Sequence, residues 1–162
     1  MSYKLSNRGV KFTLRALMNK FNLGVNDLIE ILKNLDLKEV PISIFKSPLS
    51  PLEALVTFLK SKEYNFHQIG EILGRSEKTI WTTHSNSIKK LSKINEHFIL
   101  NEDGRSVPLS LFCERKLSVL ENLCLYLSKE GLGLSEIGNL IGKDRRVIWT
   151  VCNRAKKKLG EK

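Results

Sequence analysis

Two stretches of the chain gather side chains suited to recognition: Lys78, Trp81, Thr82, Ser85 and Lys89 in one, and Arg145, Arg146, Trp149, Thr150, Asn153 and Lys157 in the other. An arginine or lysine can pair with a phosphate or a guanine edge, the amide of Asn153 can bond adenine, and Thr82 or Thr150 can meet a phosphate or a thymine methyl. Lys90, Lys156 and Lys158 lie further along the same stretches and add salt-dependent attraction to phosphates or simply a solvated helix end. Trp81 and Trp149 admit two readings, stacking on a ligand or packing one module on another. What these stretches lack is a convergent set of acid, base, nucleophile or metal ligand, so the chemistry expected is binding and not catalysis.

The elements that must position these residues emerge when the chain is compared with itself. Leu49–Glu53 through Leu91 matches Leu117–Glu121 through Leu159 at a constant offset of 68, with Ile69-Gly70 on Ile137-Gly138, Gly74 on Gly142 and Ile80-Trp81-Thr82 on Ile148-Trp149-Thr150. Upstream, Val40-Pro41-Ile42-Ser43-Ile44-Phe45 resembles Val107-Pro108-Leu109-Ser110-Leu111-Phe112 after a one-residue gap. In each unit a capping box, Ser50 with Glu53 or Ser118 with Glu121, starts a first helix. Its apolar positions (Leu52, Leu55, Val56, Leu59; Leu120, Leu123, Cys124, Leu127) follow helical spacing. A short second helix follows, His67–Leu73 or Ser135–Ile141, and Gly74 or Gly142 ends it. Ser76 and Asp144 then cap a longer third helix, Glu77 to about Leu91 and Arg145 to about Leu159. Ile80, Thr83, Ser87 and Leu91, or Ile148, Val151, Ala155 and Leu159, face inward on it, and the recognition residues face outward. Short helix, glycine turn and capped longer helix is the helix-turn-helix plan.

The expected architecture is all-α, with a helical N-terminal segment over 1–39, a first helix-turn-helix module over 40–97 and a second over 104–162, divided at the polar turn Asn101-Glu102-Asp103-Gly104. Residues 1–39 read as two amphipathic helices broken near Asn22-Leu23-Gly24: a decayed third copy, a partner-binding hairpin or a lid on the first repeat. A formal net charge of +10 suits a polyanionic partner. Cys113, Cys124 and Cys152 are odd in number and widely spaced, which predicts buried thiols, not a disulfide framework. His67, His84 and His97 have no metal-ligand spacing, so neither metal nor cofactor is expected. No apolar run is long enough to span a bilayer and no signal-peptide pattern opens the chain, so the expectation is a cytoplasmic, nucleoid-associated protein with no membrane partner.

With these residues assembled, the segments Leu49-Ser50-Pro51-Leu52-Glu53, Gln68 to Ser76, Thr79-Ile80 and Ile88-Lys89-Lys90-Leu91 resemble LuxR-type and sigma-factor region 4 helix-turn-helix domains. Arg154-Ala155 and Lys158-Leu159 resemble the sigma version more closely. The resemblance covers about two thirds of the chain and implies modules whose last helix enters the major groove of double-stranded DNA, with contact to RNA polymerase in the sigma case. The chain shows no core-polymerase-binding sigma segment and no sensing domain, which leaves a transcriptional regulator working as a pseudo-dimer. The alternative is an adaptor that binds RNA polymerase or another regulator.

Overall fold

A computed structural model describes residues 39–93 and 104–160, together with Lys20 and Gly24. The readings made on residues 1–38, and most of the polar turn between the repeats, lie outside the described residues. The fold is all-α, with one small two-stranded sheet. Strand β1 (Glu39–Pro41) and a 3-10 turn (Ile42–Lys46) lead to helices α1 (Pro51–Ser61), α2 (Phe66–Ile72) and α3 (Glu77–Leu91). Strand β2 (Ser106–Pro108) and a second 3-10 turn (Leu109–Phe112) lead to α4 (Val119–Lys129), α5 (Leu134–Ile141) and α6 (Arg145–Leu159).

Local chemistry explains each start and stop. In α1 and α4 the box closes in both directions: the N–H of Ser50 and of Ser118 donates to Glu53 and Glu121 at 2.8 Å, and the serine hydroxyls accept from the glutamate N–H groups at 3.4 and 3.3 Å. Asn65 caps α2, Ser76 caps α3 and Asp144 caps α6. At the end of α2, Arg75 N–H reaches back to the Gly70 carbonyl at 2.8 Å and Gly74 N–H to that of Glu71 at 3.2 Å, with Gly74 at φ 59°. This glycine-closed turn aims the chain directly into α3. The same bond recurs from Lys143 to Gly138 at 2.9 Å, with Gly142 at φ 66°.

Each three-helix unit closes on an apolar centre, Leu55, Leu59, Ile69, Leu73 and Ile80 in one repeat and Leu123, Leu127, Ile137, Ile141 and Ile148 in the other. The inward stripe of α3 is buried at Ile80 and Ser87 and half-buried at Thr83 and Leu91, and its buried polar member has partners. Ser87 is fully buried, donates to the His84 carbonyl at 2.7 Å and accepts from the Thr57 hydroxyl at 2.8 Å. At the matching positions of the second repeat Leu125 and Ala155 belong to one apolar cluster, so a hydrogen-bonded pair and an apolar pair fill the same place. Of the three cysteines expected to be buried, Cys124 and Cys152 are, but Cys113 is exposed. It follows the second 3-10 turn, whose buried positions are Leu109 and Phe112, and leaves that face.

The two repeats join into one compact unit, Glu39–Lys162. β1 and β2 pair antiparallel, with Glu39 opposite Pro108, Val40 opposite Val107 and Pro41 opposite Ser106. Helix α1 packs against α4, and the rings of Phe45 and Phe112 meet at 5.9 Å between centroids. The first 3-10 turn packs on α1 of its own repeat and on α5 of the other.

Candidate nucleic-acid interface

The outward face of each third helix is presented as the spacing predicts. Lys78, Trp81, Thr82 and Lys89 are exposed and Ser85 is half-buried; Arg145, Arg146, Trp149, Thr150, Asn153 and Lys157 are all exposed. The tryptophans decide most, since a large aromatic ring is ordinarily withdrawn from water. Trp81 is 56% exposed and Trp149 58%, while the main contacts between repeats run through the strands, the 3-10 turns, the first helices and α5. Packing between the two modules therefore does not account for them.

Around Trp149 the surface forms an open depression of about 520 Å³ lined by Leu134, Arg145, Arg146, Trp149 and Thr150. The two arginines occupy the first turn of α6, where the helix dipole and the unpaired backbone N–H groups already present positive charge. Cations there work against the helix by roughly 0.3–1 kcal/mol each, which the cap carboxylate of Asp144 offsets in part and an anion brought to the surface offsets further. The first repeat has Glu77 at the position of Arg145, the residue a stable helix start prefers.

The threonines are more constrained than their sequence suggests. Thr82 donates its hydroxyl proton to the Lys78 carbonyl at 2.8 Å and Thr150 donates to that of Arg146 at 2.9 Å. In this geometry neither hydroxyl has a proton to give a phosphate, so what remains for a ligand is an acceptor oxygen and the methyl group.

Two lysines of the same helices belong to the fold. Lys90 Nζ lies 2.8 Å from both carboxylate oxygens of Glu53, and Lys158 Nζ lies 2.8 Å from Glu121 Oε2. Both glutamates are buried. Burial pushes each carboxyl up, but the hydrogen bond from the lysine and then the bonds from Ser50 or Ser118 outweigh it and hold the group below its ordinary value. The capping role explains both glutamates locally, and so hides this second partner in the sequence. The available signal was a glutamate and a lysine spaced 37 residues apart in both repeats.

More cations flank the glycine turns where the repeats meet. The carbon that a side chain at Gly142 would add falls 3.6 Å from Lys46, and one at Gly74 falls 3.5 Å from Arg115. Arg75 is held below its ordinary value by burial and then by the neighbouring Arg115. The two third helices also differ in charge: Glu77–Leu91 has three lysines and a glutamate, whereas Arg145–Leu159 has three arginines, three lysines and no acid.

Among the described residues no group of three or more His, Cys, Asp and Glu side chains is placed to hold a metal ion, and no helix is long and apolar enough to cross a membrane. Comparison with protein-family models, curated proteins and solved structures yields no match to this chain.

Proposed function

We propose that the chain is a non-catalytic DNA-binding protein, a transcriptional regulator that lays the outer faces of α3 and α6 in the major groove. One observation carries this reading. An exposed tryptophan stands at the same position of both third helices, and in α6 it stands beside two exposed arginines at the helix start. A fold left to itself would hide the rings and would not follow the Asp144 cap with two arginines in the first turn. A surface that meets stacked bases and phosphates has use for both.

Roles follow from position. Arg146 and Asn153 address base edges, the methyl groups of Thr82 and Thr150 address thymine, and Lys89 and Lys157 neutralise phosphates. A second reading rests on Ile88, which is 48% exposed and stands seven residues, two helical turns, beyond Trp81. That strip suits an apolar protein surface, such as a polymerase subunit or another regulator, and its counterpart in the second repeat is Lys156. Recurrence of tryptophan on the more basic helix α6 favours DNA.

The test follows tryptophan emission of Trp81→Phe and Trp149→Phe single-tryptophan forms of the full chain as duplex DNA is added. Quenching of both, with Trp149→Ala weakening binding about tenfold or more and leaving the melting temperature within about 2 °C, is the expected result. Emission unmoved by DNA but quenched by a protein partner would overturn the DNA reading in favour of the adaptor.

A further inference from the structure

We infer that the target is an inverted, imperfectly matched pair of half-sites on a single duplex, read by one chain. The inference rests on the DNA reading above and adds the arrangement of the sites.

The seam between the repeats is built from equivalent parts meeting each other. Val40 matches Val107 in the repeat and is paired with it in the sheet, while Glu39 opposite Pro108 and Pro41 opposite Ser106 are the same pairing exchanged across that centre. Phe45 meets Phe112, its own counterpart, and α1 packs on its counterpart α4. The approach of Lys46 to the turn glycine Gly142 is answered by that of Cys113 and Arg115 to Gly74. Equivalent on equivalent is the mark of a two-fold relation; units related by translation would bring unlike surfaces together. The two reading helices are therefore exchanged by an approximate dyad through the strand pair. B-DNA carries local dyads of its own, because its strands are antiparallel, so heads exchanged by a dyad meet the same sequence on opposite strands. A direct repeat would require heads related by translation.

The match between half-sites follows from the residues. Trp81 and Trp149, and Thr82 and Thr150, are the same in both heads and read the same bases. Ser85 stands where the second head has Asn153, and Glu77 where it has Arg145. Of these two side chains only the asparagine amide forms the paired bond with adenine, so one half-site carries an adenine preference absent from the other.

Selection of the full chain on a random-sequence duplex pool at about 150–200 mM salt tests this, with the Asn153→Ser form run in parallel. The expected product is an inverted motif, bound one chain to one duplex, whose halves differ where Asn153 replaces Ser85 and at the positions facing the helix starts, where Arg145-Arg146 replace Glu77-Lys78. Asn153→Ser should lose about tenfold in preference at the Asn153 position alone and make the selected motif more nearly palindromic. A direct repeat, a single half-site, two duplexes per chain, or an Asn153→Ser motif unchanged or altered in both halves would overturn the inference and leave DNA binding standing. Binding with no enriched sequence would overturn sequence reading itself.

Discussion

Lys157 and Lys158 are neighbours in sequence with opposite assignments, and replacing each by methionine separates folding from binding. Glu121 is 2% exposed, and its Oε2 accepts from Ser118 N–H and from Lys158 Nζ, both at 2.8 Å. Lys158→Met keeps the aliphatic stem and removes the charge, leaving a buried carboxylate short of one ionic hydrogen bond. Such a bond contributes about 1.5–3 kcal/mol. The lower half of that range applies, because the Lys158 side chain is 45% exposed and its ammonium stays partly hydrated in the fold. For a unit the size of Glu39–Lys162, 1 kcal/mol corresponds to about 4 °C in melting temperature, so Lys158→Met should lower it by about 6–9 °C. Lys157 is exposed, and its loss should move the melting temperature by less than about 2 °C. Binding reverses the order: Lys157→Met should reduce the slope of log K against log salt by about 0.9, and Lys158→Met should leave it unchanged. Circular-dichroism melts and duplex titrations at several salt concentrations read both quantities. A Lys158→Met form that melts with the parent and loses salt dependence would refute the division of the two lysines.

The paired glutamates also make stability depend on acid. Their carboxyls are held below the ordinary value in the fold, so their contribution is complete above the unfolded value, roughly pH 4.3, and is lost as pH falls through the folded values. Urea midpoints measured from pH 6 down to 3 should drop less steeply for Glu53→Gln/Glu121→Gln than for the parent; an equal drop would place the acid sensitivity elsewhere. At the turn, a Gly138→Ala methyl would lie 2.5 Å from the Lys143 carbonyl oxygen, in the backbone that aims α6, and should cost about 2–3 kcal/mol. Gly160→Ala has open space and only a left-handed φ of 74° to strain it, so about 1 kcal/mol is expected, and similar melts for the two variants would contradict the close-approach account.

The helices of both repeats were legible because their signals are local. Ser50-Pro51-Leu52-Glu53, the glycines after α2 and α5, and the spacing from Ile148 to Leu159 each fix a boundary or a face within a few residues of themselves. The seam was not legible as a seam. Val40 and Val107 lie in three-residue strands with no shared hairpin turn, so nothing in either segment announces the other as its partner. Their likeness marked them as repeated but did not say that they touch. The outward residues were legible as a face, yet periodicity does not show which members are already occupied: Lys90 and Lys158 proved to hold buried glutamates, and the hydroxyls of Thr82 and Thr150 to hold their own helix.

The strand pair at the seam has a consequence for dosage. When two heads belong to separate molecules, the active species forms with the square of their concentration, and dilution takes it apart. Here Val40 and Val107 belong to one chain, so their encounter proceeds at a fixed effective concentration set by the tether, whatever the abundance of the protein. Occupancy of a target read by both heads then rises in first order with copy number, without the threshold that assembly imposes. Each repeat is also free to change alone: a substitution in one appears once per chain, and Ser85 at the position of Asn153 and Glu77 at that of Arg145 are differences that two copies of a single repeat cannot contain.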